Sequence, residues 1–388
     1  MSGPDRQSRS LPLPAPLAAD PLPAARPLAA ELVAALVGGS AAARAALRAG
    51  QARLVMTGQQ PCFPLPLGLS LQKAATAVAL AKQLQAAGEG PVYACFWSAA
   101  DDSDFAEARG QLVARAGRPP LAVGLPGAQE RPGGFVGDLD IGPAFAELAR
   151  LRGLAGEYAA SAPRAGEDLG AQAARLLAEL FAPWGLLVLD AREEALRRAA
   201  APLYARYAER RAAFATALDT AGTALAPETG ASPLRPGLGE RALFFLRSRR
   251  RLLPASEDYG AALAGRLAEA PATLAPNAAL RPLVQDAVFP VAAVVLGPAE
   301  WAYHRQLQAG FRVLDSPFPP AWPRLRARSG RDAAAGLDGE GRRSSPLGQP
   351  GHPLADAAVL VRLAEEHLAA WAAGEHIEWT LEPRREGV

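Results

Sequence analysis

Asp101, Asp102 and Asp104 fall within four consecutive positions, directly after the nearly uncharged run "VYACFWSAA". Carboxylates that close together can hold Mg²⁺ through oxygen, take a proton as general base, or bind a substrate ammonium. Aspartates also cap helices, accepting backbone N–H groups at the positive helix end. Both readings stay open for different members of the trio. A second stretch, "TGQQPCFPLPLGLSLQK" from Thr57 to Lys73, carries two neighbouring amides, Gln59 and Gln60. Amides both donate and accept, which suits a sugar or amino-acid ligand. The stretch matches neither G-x-G-x-x-G nor G-x-x-x-x-G-K-[ST], and Pro61, Pro64 and Pro66 remove N–H donors that an anion cradle uses. Cys62 reads as an uninvolved thiol and Cys95 as core. His304 reads as a helix histidine, with general-base chemistry as the alternative. The other histidines, His352, His367 and His376, are too scattered for a metal site, so no protein-held metal is expected.

These residues need elements to position them. "ARLVMTG" and "PVYACFWSA" read as buried strands, and "LSLQKAATAVALAKQLQAAG" between them as a helix. Strand–helix–strand with continuous apolar runs marks a parallel unit covered on both faces. The pattern recurs: "LLVLDA" and "PVAAVVLG" are further strands, "NAALRPLVQDAVF" is helical, and "PAEWAYHRQLQAGF" opens a helix with proline in its first turn. "ALFFLRSRRRLLPA" suits a hairpin or edge strand, and a helix is expected from Ala29 to about Ala49, broken near Gly38 and Gly39. The fold class is therefore α/β, an open and mostly parallel sheet flanked by helices, with its ligand crevice beyond the carboxyl ends of the strands. Both the Gln59–Lys73 loop and the aspartate trio sit at such ends.

Four segments are expected: a Pro- and Ala-rich arm at residues 1–28, the α/β core at 29–325, a flexible Gly/Arg/Asp/Ser linker at 326–353, and a C-terminal helix with a short strand at 354–388. With 41 basic and 39 acidic residues, the net charge of +2 gives no reason to expect nucleic acid or an anionic membrane as partner. No apolar run reaches the roughly 18 residues of a membrane span without charge or helix breakers. Two cysteines give no disulfide framework, and a reduced cytoplasm is the expected compartment. Lys73 and Lys82 are the only lysines among 41 basic residues, which singles out the ammonium in "SLQKAATA".

Taken together, "RLVMTGQQPCFPLPLGLSLQKAATAVALAKQL" and "PVYACFWSAADDSDFAEA" resemble the start of the bacillithiol synthase family (BshC), the cysteine ligases. Its members carry a T-G-Q-Q turn, a lysine opening the next helix, and a strand running into E-D-H-D-F. "LAPNAALRPLVQDAVFPVAAVVLGPAEWAYHRQL" is similar to the family's second signature, S-P-N-x-x-L-R-P followed by G-G-P-G-E-x-A-Y, and "GLLVLDAREEALRRAAAPLY" also fits. The resemblance runs from about residue 45 to 325. It implies a Rossmann-like catalytic core and an activity that adds L-cysteine to the amine of glucosaminyl-malate, completing bacillithiol. Positions matching the family are Thr57, Gly58, Gln59, Gln60, Lys73, Asp102, Asp104, Asn277, Arg281, Gln285, Gly297, Glu300 and Tyr303.

On that basis Asp102, Asp104 and Asp101 are the candidate catalytic carboxylates. Gln59, Gln60, Lys73, Asn277, Arg281, Glu300 and Tyr303 are the candidate substrate contacts, with Lys73 and Arg281 on malate carboxylates or a phosphate. Cofactors stay open, a nucleotide such as ATP and Mg²⁺ among them. The chain departs from the family at Asp101 (glutamate in the family), Ser103 (histidine), Arg109-Gly110 (an Asn-His pair) and Leu69, where a tyrosine hydroxyl is lost. The family's antiparallel coiled coil, its dimerisation element, is not expected after Arg326. The chain thus reads as a shortened, divergent member whose oligomeric state is open. The alternatives are a non-catalytic ligand-binding or regulatory relative, and a ligase for another amine.

Overall fold

Four apolar runs become four of the five parallel strands of one sheet, in a computed structural model that describes residues 5–8, 22–115, 118–125, 131–152, 161–329, 356–373 and 377–381. The sheet strands are β1 (Val37–Gly38), β2 (Arg53–Gln59), β3 (Val92–Ser98), β4 (Leu187–Asp190), β5 (Val291–Leu296) and β6 (Ala321–Pro323). Their spatial order is β6-β5-β2-β3-β4-β1, parallel throughout except for β1, a two-residue antiparallel edge on β4. The Rossmann-like, mostly parallel sheet expected from the sequence is present.

Alternation along each strand sorts the core into two layers. Val55, Phe96, Val188 and Val295 pack against α1 (Gly68–Ala86), α2 (Leu169–Leu180) and α6 (Ala357–Ala372). Leu54, Met56, Trp97, Leu189 and Val294 pack on the other face against α3 (Ala201–Thr229), α4 (Arg281–Val288) and α5 (Pro298–Val313). Helix α1 is buried nearly all round from Ser70 to Ala81, because α6 covers the side turned away from the sheet. Its alanines let it sit close to both neighbours, and its apolar circumference is what a helix buried on every side requires.

This layering creates the crevice. Strand β2 leads into α1 on one face, whereas its neighbour β5 leads into α5 on the opposite face. Where adjacent parallel strands send their helices to opposite sides, the chain parts and leaves a gap beyond the strand ends. The loop after β2 is closed over by a third apolar cluster that includes Phe63, Leu65, Phe105, Val136, Ile141 and Phe145.

Several expectations change in detail. The single broken helix over 29–49 is two helices, Ala30–Ala35 and Ala41–Arg48, separated by β1, with Gly38 and Gly39 at φ 72° and 70°. Only glycine enters that region without strain. The stretch "ALFFLRSRRRLLPA" is a hairpin of Leu243–Arg247 and Arg250–Leu252, turning through Ser248 and Arg249 at positive φ. The hairpin Gly110–Arg115 with Arg118–Gly124 was not legible in the sequence.

The leading arm is ordered where described: Leu28 is buried, and the Arg26 guanidinium donates to the carbonyls of Ala287 (2.6 Å), Phe289 (2.6 Å) and Asp286 at the end of α4. The expected linker begins instead with a strand, Ala327–Ser329, which pairs with Ile377–Leu381. Residues 330–353, the rest of that expectation, lie outside the described residues. Among the described residues no helix is long and apolar enough to cross a membrane.

Candidate active site

Strand β2 ends in Thr57-Gly58-Gln59, and the backbone there is crowded. Gly58 pairs in register with Trp97 of β3, and a Cβ on Gly58 would stand 2.6 Å from the Trp97 carbonyl oxygen. Glycine is needed for that close approach. Thr57 donates through Oγ1 to the Val295 carbonyl (2.9 Å), tying β2 to β5 below the crevice. Above it opens a cavity of about 480 Å³. Its lining includes Gln59, Gln60, Lys73, Asp102, Arg281, Glu300 and Tyr303. Seven candidates from four separate stretches of chain therefore meet at the switch point.

Lys73, on the first turns of α1, is 1% exposed and donates to Gly58 O (2.7 Å), Gln59 Oε1 (2.9 Å) and Glu300 Oε1 (2.7 Å). An ammonium has three protons, and here each has an acceptor. Burial lowers the Lys73 pKa by more than Glu300 raises it, so the net shift is downward. Glu300 in turn accepts the Gly297 N–H on Oε2 (2.7 Å), closing the capping box of α5. The lysine thus bolts the end of β2 to the start of α5 across the gap. Expected as a direct contact for a carboxylate or phosphate, it lines the cavity with all three protons on protein acceptors. Because its Oε1 faces Lys73, the Gln59 amide turns its nitrogen outward, to Glu107 (3.3 Å).

The aspartate trio divides by role. Asp102 lines the crevice, with Oδ1 accepting from Ser103 N (2.7 Å) and Oδ2 from Arg281 Nη2 (3.1 Å). Burial raises its pKa, but Arg281, Arg251 and the Ser103 N–H outweigh that and hold the carboxyl below its usual range. Asp101 is buried away from the lining and accepts from Arg251 Nη2 at 2.8 Å. Asp104 caps the short helix Phe105–Ala108 by accepting from Glu107 N (3.1 Å). The expectation that all three face one pocket is corrected: one lines the crevice, one is a buried ion-pair partner, one is a cap. The trio accordingly makes no cradle for Mg²⁺, and among the described residues no group of three or more His, Cys, Asp or Glu is arranged to hold a metal.

Asn277 is also relocated. Its Oδ1 accepts from Ala279 N (2.9 Å) and Leu280 N (3.3 Å), and its Nδ2 donates to the Leu238 carbonyl (3.0 Å). It shapes the turn into α4 and does not line the crevice. Arg281 and Gln285, one turn apart on that helix, do line it. Tyr303 is half-buried, and burial with the nearby Glu300 carboxylate raises its phenol pKa, keeping it protonated. His304 also lines the crevice; burial pushes it down to about 4 despite a bond to the Pro319 backbone, so it is neutral at pH 7. Burial pushes the Cys62 thiol up to about 12, which agrees with an unreactive cysteine.

Sequence reasoning missed Trp97, Glu107 and Arg324 in the lining, and Arg251 behind it. Glu107 follows Asp104 by one helical turn, a spacing that offered a signal. Arg251 and Arg324 come from distant parts of the chain and offered none. A phosphate cradle does not form in the loop after Gln59, since its prolines lack N–H groups and Lys73 is engaged by protein acceptors.

An open α/β sheet with a polar crevice at its topological switch point defines a Rossmann-like domain, with the crevice where such sheets place their ligands. Residues 39–325 match the model of the bacillithiol biosynthesis BshC N-terminal Rossmann-like domain. The chain belongs to the BshC family. It is 32% identical over 282 residues to "Putative cysteine ligase BshC" of Solibacter usitatus, covering 70% of this chain and 53% of that protein. The protein of the same name from Koribacter versatilis is 30% identical over 298 residues, covering 72% and 55%. That of Thermus thermophilus is 32% identical over 272 residues, covering 65% and 52%. The chain spans about half the length of the curated relatives it matches.

Proposed function

We propose that the protein is a cysteine ligase of low-molecular-weight thiol biosynthesis, joining the carboxyl of L-cysteine to the amine of glucosaminyl-malate in the cytoplasm. The observation that carries the reading is the convergence of Gln59, Gln60, Asp102, Arg281, Glu300 and Tyr303, drawn from both family signatures, on one cavity. Amide formation needs a neutral amine, an activated carboxyl and donors for the oxyanion that develops. The crevice offers carboxylates at Asp102 and Glu107 to orient an ammonium and receive its proton, and the Arg281 guanidinium and Tyr303 hydroxyl as donors. Removing the carboxylate oxygen of cysteine calls for a co-substrate such as a nucleoside triphosphate.

The test is direct. Purified protein supplied with cysteine, glucosaminyl-malate, ATP and Mg²⁺ is expected to yield bacillithiol, and Asp102→Asn to abolish it. Full turnover in Asp102→Asn removes that residue's role, and an inactive wild type refutes the activity. One observation favours a second reading, a relative that binds ligand without ligating it: the Asp102 carboxylate is already held by Arg281 and a backbone N–H. Binding of glucosaminyl-malate without turnover would select it.

A further inference from the structure

Gln60 Nε2, Trp97 Nε1 and Arg281 Nε belong to residues that line the crevice, and each is a buried donor with no hydrogen-bond partner among the described residues. Gln60 is 8% exposed and Trp97 4%, so water does not readily satisfy them. A buried N–H left unpaired weakens the ligand-free fold, and native proteins keep few of them. Tyr204 and Trp301 also bury a donor without an acceptor, but neither lines the crevice. The residues that carry the three donors, from β3, the turn after β2 and α4, line one cavity.

Charge narrows what would satisfy them. The lining holds Lys73, Arg281 and Arg324 against Asp102, Glu107 and Glu300, and Lys73 is paired with Glu300 and Arg281 with Asp102. The cavity has no net excess of cations to draw in an anion. Two of the three waiting donors, an amide and an indole, are neutral, and the third is the inner nitrogen of an already paired guanidinium.

We infer that Gln60 and Trp97 are specificity-determining donors, assisted by Arg281, that hold the uncharged, hydroxylated part of the ligand, while any carboxylate of that ligand lies elsewhere. A site built to donate to hydroxyl oxygens rejects analogues that lack them. Only the identity of that part as an aminosugar rests on the ligase reading.

The test uses the full chain with Trp97→Phe, which removes the N–H and keeps a ring, and Gln60→Met, which keeps length and loses the amide. In each, KM for glucosaminyl-malate should rise about tenfold with kcat within about twofold, the loss of one hydrogen bond used for binding. Calorimetric binding of methyl glucosaminide should weaken likewise, L-malate binding should not change, and the melting temperature should hold or rise. Unchanged KM and binding would overturn the inference. So would an equal loss of L-malate binding, or a lowered melting temperature, which would mean that the donors already serve the fold. If the wild type ligates nothing but binds methyl glucosaminide through both donors, the activity fails and this inference stands. Failure of the wild type to bind the glucosaminide overturns it.

Discussion

Replacing Lys73 with methionine removes the bolt between β2 and α5 and leaves its shape. The ammonium is 1% exposed and makes three bonds of 2.7–2.9 Å. Methionine carries no dehydration cost, which offsets part of the loss, and the lowered pKa has the sign of that cost. The Gly58 carbonyl, fixed in the sheet, cannot turn away. Gln59 and Glu300 can reach water, and Glu300 keeps the Gly297 N–H. Counting one fixed acceptor in full and the mobile two in part gives a net cost of about 2–4 kcal/mol. For a chain of 388 residues that corresponds to a fall in melting temperature of roughly 2–5 °C.

The pH dependence has a definite sign. The folded Lys73 pKa lies below its unfolded value of 10.5, so the unfolded state binds more protons between the two values. Wild-type stability relative to Lys73→Met should therefore rise as pH climbs through that window. Urea denaturation of both proteins across pH 7–10.5, about the accessible range, reads the effect. A loss below about 1 kcal/mol at pH 7, with the crevice still binding ligand normally, would refute the bolt.

Two further outcomes follow from burial and close approach. His304 is neutral until about pH 4 in the folded chain but gains its proton near 6.5 when unfolded. Stability should fall by roughly 3 kcal/mol as pH drops through that interval, and His304→Leu should flatten this limb in urea titrations. Gly58→Ala should cost about 1–3 kcal/mol, because the intruding methyl meets the Trp97 backbone and not a movable side chain; an unchanged urea midpoint would show that β2 and β3 can part.

Much of the fold was legible because the parallel strands are short apolar runs ended by glycine or acid, and α1 has a long alanine-rich body. What the runs do not carry is their order in space. That β5 lies beside β2, and so opposes Glu300 to Lys73, depends on packing between segments more than 200 positions apart, as the separation of 227 in that bond shows. The trio shows the same limit: capping by Asp104 is local and readable, whereas the Arg251 partner of Asp101 is 150 positions away. Asn277 matched a family position, yet its bonds serve the turn ahead of α4. Motif membership alone does not separate a residue that touches ligand from one that aims its neighbour.

Arg26 gives the leading arm a reach that its composition hides. Its guanidinium gathers the last carbonyls of the helix whose first residue is Arg281. A protein trimmed to begin at Ala29 would keep every strand of the six-stranded sheet and every crevice side chain, yet α4 would fray from its far end and Arg281 would lose its aim. Weak binding by such a trimmed protein would report on a missing brace, not on the crevice itself.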